Sequence, residues 1–169
     1  AVIDADGVVA FSDRIDALGG KEELVLTPHP GELARLLDTS PGAIDRERYE
    51  IVPDLAQDLG VTLLLKGVPT VIGSPTGEVS LVSCPNSGLA KGGSGDVLTG
   101  LIGSFMAQGL SPFSAARLGA WVHCRTGDLG REKLGQDALQ PGDLVDLIAP
   151  ILKELRKEKE GLTGGYEVN

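Results

Sequence analysis

Cysteine and aromatic residues are scarce in this 169-residue chain: Cys84 and Cys124 stand alone, and Phe, Trp and Tyr together make up 4%. Two isolated cysteines without a CxxC spacing exclude a disulfide-dense scaffold and a thiolate zinc site. Both therefore read as small buried apolar residues of a reducing, cytosolic compartment, with a disulfide between them as the less favoured alternative. Positive charge is also short, since 15 Lys and Arg against 24 Asp and Glu leave a net charge of −9. That balance argues against nonspecific binding to nucleic acid and against anionic membrane surfaces. No apolar run reaches bilayer-spanning length, and no basic-then-apolar stretch stands at the start. With 41% hydrophobic and 23% charged residues, the rest is ordinary for a globular domain able to bury a core.

Glycine, by contrast, is plentiful and concentrated. Gly92-Gly93-Ser94-Gly95 runs into Asp96 and then into an apolar helical pattern over residues 97–108, with Gly109 as its stop. Glycines let backbone amides turn toward a ligand, and a helix start adds unpaired N–H donors and the positive end of a dipole. The stretch reads as an anion site whose natural guest is a phosphate. Asp96 puts a negative charge where a negative guest belongs. It makes sense as a base that takes a proton while the amides hold a transferring phosphoryl group. The plainer reading is an N-capping aspartate behind a tight turn.

The remaining pattern alternates strands and helices. Residues 1–3, 24–27 and 61–65 read as buried strands, and residues 70–72 and 79–82 as a hairpin about Ser74-Pro75-Thr76-Gly77. Helices are expected over residues 31–37, from Ser40-Pro41 to Gly60 with a bend at Pro53, from Ser111-Pro112 to about Leu129, and from Pro141 onward. This predicts an α/β layered domain, a mostly parallel sheet flanked by helices with one β-hairpin, occupying residues 1–160 as a single unit. Residues 161–169 lack periodicity and read as a disordered tail. A buried strand at Ala1 needs neighbours on both sides, so the chain is expected to be the C-terminal portion of a larger domain.

Two further motifs end strands, where open α/β sheets gather ligands. Thr27-Pro28-His29-Pro30-Gly31-Glu32 stiffens a loop and holds His29 in the crevice, or else is a surface loop with Glu32 favouring a helix dipole. His29 and Glu32 alone fall two ligands short of a zinc site, so no metal ligands are assigned. Lys66-Gly67-Val68-Pro69-Thr70 follows the most apolar strand. Its lysine either reaches an anion such as a nucleotide phosphate or snorkels to solvent. Asn86 precedes the glycine loop and fits equally as a turn residue, while His123 reads as a core or interface histidine. No GxxxxGK[ST] is present, and Leu98 stands where a GxGxxG would need its third glycine.

Thr-Pro-His-Pro-Gly-Glu, Lys-Gly-x-x-Thr and Asn-x-Gly-x-Ala-x-Gly-Gly-x-Gly-Asp, in that order, resemble the ADP/ATP-dependent NAD(P)H-hydrate dehydratases. These are the C-terminal kinase-like domain of the YjeF proteins, in the ribokinase-like superfamily. The resemblance runs from Ala1 to about Leu152 and implies a lyase of metabolite repair. A nucleotide phosphorylates the hydroxyl of hydrated NADH or NADPH, and phosphate leaves in place of hydroxide. It further implies that Asp96 is the catalytic base and contacts substrate. Gly92, Gly93, Ser94 and Gly95 would hold the phosphoryl group. Lys66, Gly67, Val68, Pro69, Thr70 and Gly95 would line the nucleotide site, and His29 and Asn86 would meet the hydrated dinucleotide. ADP or ATP with Mg²⁺ is the implied cofactor set, in a cytoplasmic homo-oligomer with no nucleic acid or membrane partner.

Leu89 and Lys91 depart from the family pattern, the latter adding charge beside the anion site. The resemblance also implies an N-terminal segment with a glycine-rich substrate loop, so material beginning at Ala1 is expected to lack part of the substrate pocket. Two other functions share the glycine loop: a vitamin-precursor or sugar kinase of the same superfamily, and a noncatalytic nucleotide-binding remnant. The residue 115–124 helix is apolar enough for a subunit interface.

Overall fold

Three short apolar runs become β1 (Val2–Ile3), β2 (Val25–Leu26) and β3 (Thr62–Leu65), paired in parallel with Val2 opposite Val25 and Leu26 opposite Leu63. The hairpin β4 (Thr70–Gly73) and β5 (Val79–Val82) joins the same sheet, antiparallel to β3, giving the order β1-β2-β3-β4-β5. All four residues of β3 are buried, as a strand covered on both faces requires. The computed structural model describes residues 1–163, with side chains through residue 157. It divides into two compact units, one of Ala1–Pro85 with Leu98–Trp121 and one of Asn86–Val97 with the chain from Val122 on.

In the first unit, one face of the sheet carries Leu26, Leu63, Leu65 and Val71 against the short helices. These are α1 (Asp6–Val9), α2 (Pro30–Leu36), α3 (Pro41–Arg46) and α4 (Arg48–Leu59). A Cβ on Gly73 of β4 would lie 2.9 Å from the Val52 carbonyl oxygen, so α4 can approach only a glycine there. The opposite face presents Val2, Val25 and Leu64, alternate to that set. The first-unit part of α5 (Ser94–Ala107) passes over it, with a Cβ on Gly103 falling 3.9 Å from Val2. Helix α6 (Pro112–Leu134) follows, its Gly119 seated on Ile102 of α5.

Several expectations shift by a turn. The helix expected from Pro41 to Gly60 is two, broken at Glu47, six residues before Pro53; Gly60 closes the second with a left-handed φ of 64°. Helix α5 begins at Ser94, so Ser94 and Gly95 belong to its first turn rather than to a loop before it. Helix α6 continues past residue 129 to Leu134, and Gly135 (φ 82°) ends it.

The second unit, taken by itself, holds a 3-10 turn at Ser87–Leu89, the start of α5, the later part of α6, and α7 (Pro141–Thr163). Gly127 and Gly130 of α6 make room for Leu89 and Leu139: a Cβ would come within 2.7 and 2.5 Å of those leucines. Leu144 and Ile151 of α7 are buried, as its periodicity predicts. Helix α7 takes in residues 161–163 of the expected tail; residues 164–169 lie outside the described residues.

One expectation is corrected and another is narrowed. Neither cysteine is a free thiol. In the apolar stretch at residues 115–124, Ala115, Ala116, Ala120 and Val122 are buried within the chain, which leaves Leu118 and Trp121 as its partly exposed apolar side chains. Among the described residues, no helix is long and apolar enough to cross a membrane.

Candidate active site

The carboxyl ends of the parallel strands assemble one polar cluster within the first unit. Asp4 follows β1, and Ala5 after it takes φ 49°, a left-handed value that a Cβ disfavours. Asp4 Oδ1 accepts from Lys66 Nζ at 2.7 Å, and Oδ2 accepts from Thr99 Oγ1 of α5 at 2.9 Å. Burial would raise the Asp4 carboxyl, but the hydrogen bond and charge of Lys66, with help from the Thr99 and Thr27 hydroxyls, more than offset it and hold the pKa below its ordinary value. Lys66 also lies 3.8 Å from Glu32 Oε2. The lysine expected to reach solvent or an anion thus faces two carboxylates of its own chain.

His29 sits at the N-cap of α2. Its Nδ1 accepts from the amides of Gly31 (2.9 Å) and Glu32 (3.3 Å), and Glu32 Oε2 accepts from the His29 amide at 2.8 Å, a reciprocal capping box. An Nδ1 that accepts leaves the proton on Nε2, which lies 3.1 Å from Glu32 Oε1. The ring is half exposed, while Glu32 is buried at its back. Glu32 therefore links His29 to Lys66, and through Lys66 to Asp4 and Thr99. Sequence reasoning singled out the two ends at His29 and Lys66 and missed Asp4, Thr99 and the bridging role of Glu32. The signal for Asp4 was present, a carboxylate directly after a buried parallel strand.

After Lys66 the chain turns through Gly67 (φ 149°) to Thr70, whose Oγ1 donates to the Gly67 carbonyl at 3.1 Å. Val68 at its tip is 61% exposed. The loop rests on Arg48, a buried side chain that sequence reasoning did not mark.

The second unit carries the glycine loop. Gly93 has φ 91°, and the Ser94 amide donates to the Lys91 carbonyl at 3.1 Å. Among the described residues, the amides of Gly93, Gly95 and Asp96 meet no acceptor, which leaves the α5 start with free donors and the dipole's positive end. Asp96 is exposed in that first turn, directed to solvent rather than into the interior. Ser94, by contrast, is buried, and its Oγ lies 3.0 Å from His123 Nε2. His123 is thus tied to the glycine loop, a link that its mid-helix position beside Trp121 did not reveal.

Two neighbours brace the loop. Lys91 Nζ donates to the carbonyls of Asp137 and Leu139, both at 2.7 Å, so its charge is engaged by the α6–α7 connection rather than held at the anion site. Asn86 is buried: its Oδ1 accepts from the Gly88 amide at 3.0 Å and its Nδ2 donates to Asp128 at 3.3 Å. That is the behaviour of a turn residue. No three His, Cys, Asp or Glu side chains converge on a metal position among the described residues.

A family model described as NAD(P)H-hydrate dehydratase matches residues 1–150. The chain is 45% identical over 161 residues to a bifunctional NAD(P)H-hydrate repair enzyme of Moorella thermoacetica, covering 95% of this chain and 30% of that protein. It is 40% identical over 158 residues to an ADP-dependent (S)-NAD(P)H-hydrate dehydratase of Neisseria meningitidis, 92% of this chain and 52% of that one. Among solved structures it resembles the ADP/ATP-dependent NAD(P)H-hydrate dehydratase of Bacillus subtilis co-crystallised with ATP and Mg²⁺, with a TM-score of 0.77 at 29% identity over 90% of this chain and 54% of that chain. A ribokinase-like superfamily protein of Enterococcus faecalis superposes with a TM-score of 0.72 at 28% identity, over 90% of this chain and 52% of that one. The chain thus spans about half the length of these relatives, or less.

Proposed function

Because the chain belongs to the NAD(P)H-hydrate dehydratase family, we propose that it carries out nucleotide-dependent repair of NADH or NADPH hydrated on the nicotinamide ring. The observation that carries this reading is the start of α5, where unpaired amides of Gly93, Gly95 and Asp96 accompany an exposed carboxylate. Amides without acceptors are preorganised donors for an anion, and they cost no reorganisation when charge develops on a phosphoryl oxygen.

In this reading the Asp96 carboxylate removes the proton from the ring hydroxyl as that oxygen attacks the terminal phosphorus of ADP or ATP. The bond from phosphorus to the leaving nucleotide breaks, and Gly92, Gly93, Ser94 and Gly95 hold the moving phosphoryl group. Inorganic phosphate then departs from the ring in place of hydroxide, the adjacent ring carbon gives up a proton to solvent, and the electrons of that C–H bond restore the ring double bond. His29, its Nδ1 held by the Gly31 and Glu32 amides so that the proton sits on Nε2, orients the hydrated dinucleotide, and residues 66–70 receive the nucleotide. Asn86 acts by shaping the loop ahead of the glycines, since both ends of its amide are engaged.

Mg²⁺ fits as a ligand of the nucleotide rather than of a protein cage, because no three ligating side chains converge among the described residues. Bound to polyphosphate, this ion keeps several waters, needs at most one or two carboxylates, and neutralises phosphate charge. The reading includes a cytoplasmic setting, where nucleotides and reduced dinucleotides are both at hand. It also includes a homo-oligomer, consistent with exposed Val79 and Leu81 on edge strand β5.

Incubation with hydrated NADPH, Mg²⁺ and ADP or ATP tests the proposal. Recovery of the reduced-nicotinamide absorbance, dependent on nucleotide, is the expected result. Absence of recovery from the full-length protein with either nucleotide would remove it.

A further inference from the structure

Beneath residues 66–70 lies a charge that the proposed chemistry leaves unused. Arg48 opens α4 directly after the break at Glu47, and its side chain is 8% exposed. One guanidinium nitrogen donates to the Pro69 carbonyl and another to the Asp45 carboxylate. The same group lies flat under Gly67, where an added Cβ would stand 2.5 Å from Nη1 and 2.7 Å from Nη2. Three features thus converge on one loop: a buried cation, a carbonyl turned inward onto it, and a glycine with φ 149° that leaves it room.

A buried guanidinium is a poor choice for stability alone, because apolar residues of similar volume serve as well or better. Its particular contribution is a rigid fork of donors that fixes the orientation of what it binds. Here it draws the Pro69 carbonyl inward, while Thr70 Oγ1 engages the Gly67 carbonyl at 3.1 Å. The Pro69 carbonyl oxygen, which would repel a polyphosphate, is thereby turned onto the cation, and the Gly67 carbonyl is engaged by a hydroxyl. We infer that Arg48 is a positioning residue for the nucleotide, holding residues 66–70 in their receiving conformation from below without touching the ligand. Asp45, more than half exposed, keeps the guanidinium in register from the other side. The inference rests on the proposed assignment of residues 66–70 to the nucleotide.

Steady-state kinetics of the full chain with ATP, Mg²⁺ and hydrated NADPH separates a positioning role from a merely structural one. Arg48→Lys supplies a point charge in place of a fork, and the loss of one charge-assisted hydrogen bond is expected to raise the KM for ATP by about tenfold. The kcat at saturating ATP and the KM for hydrated NADPH should stay within about twofold. Asp45→Asn, which keeps an amide oxygen able to accept from the guanidinium at a position more than half exposed, should raise the KM for ATP by about threefold, and it carries the test if Arg48→Lys does not fold. An unchanged KM for ATP in every folded variant, with the parent still nucleotide-dependent, overturns the Arg48 assignment and leaves the proposed function standing. Parallel rises in both KM values mark general loosening and overturn it too. A parent protein that turns over without nucleotide overturns both readings.

Discussion

Lys66 Nζ meets Asp4 Oδ1 at 2.7 Å across 62 residues of sequence, tying the end of β1 to the end of β3. The lysine is 22% exposed and the aspartate 11%, so the pair is largely withdrawn from solvent screening. Removing one partner of such a pair strands the other. Lys66→Met should therefore cost about 3 kcal/mol in urea unfolding, and the Asp4→Asn/Lys66→Met double variant should lose less than the two single losses added.

The same pair sets a pH dependence. The folded Asp4 carboxyl titrates below its unfolded value, so its contribution is fully present above that unfolded value, about 3.9, and is lost as pH falls through the lowered folded value. Urea midpoints followed from pH 7 down to pH 2 should fall more steeply below pH 4 in the parent than in Asp4→Asn. Equal slopes in the two proteins would remove Asp4 from the acid response.

Why this pair was invisible in the sequence is instructive. Periodicity reports which face of an element is apolar, and it located all five strands and most helices because those signals are local. Asp4, Lys66 and Thr99 meet only after three strands and a helix are assembled, and nothing in their separate surroundings names the partner. The start of α5 was misplaced for a related reason: Ser94, Gly95 and Asp96 form its first turn, but the apolar rhythm begins only at Val97. Likewise the break at Glu47 has no turn residue to mark it; Pro53, the visible breaker, lies inside α4. The glycine loop was legible as a turn running into a helix because that geometry is written in backbone freedom. The His123 contact to Ser94 was not, since a histidine among apolar neighbours looks like core.

Adjacent glycines in the loop should respond differently. A Cβ on Gly92 would meet nothing within 4 Å, whereas Gly93 has φ 91° and a Cβ there would lie 3.2 Å from Pro141. Gly93→Ala should cost about 1–2 kcal/mol in thermal or urea unfolding, and Gly92→Ala less than about 0.5 kcal/mol. Activity should divide them in the same order, because turning the Gly93 peptide moves the amides that follow it. Equal stability of the two variants would contradict the strained backbone at Gly93.

Asp96 offers the sharpest chemical test. Its carboxylate is exposed, so Asp96→Asn replaces a near-isosteric side chain without burying or stranding a charge. Melting temperature should be unchanged within experimental error, while kcat falls by ~10²–10⁴-fold through loss of a positioned base. ATP affinity should change little, since amides rather than this side chain are proposed to hold the phosphate. Full turnover in the asparagine variant would mean that the proton leaves by another route.

His29 performs a structural task that must be separated from any contact with substrate. Its Nδ1 caps α2 through the Gly31 and Glu32 amides, so His29→Ala should lose about 1 kcal/mol from the uncapped helix start. Asparagine is among the best N-caps, and His29→Asn should recover most of that stability. It cannot restore the protonated Nε2 that lies 3.1 Å from Glu32 Oε1, nor the half-exposed ring. If the ring orients the hydrated dinucleotide, His29→Asn should fold like the parent yet show a KM for hydrated NADPH raised by about tenfold, the cost of one hydrogen bond to a polar ligand. Recovery of both stability and substrate KM by asparagine would reduce His29 to a cap.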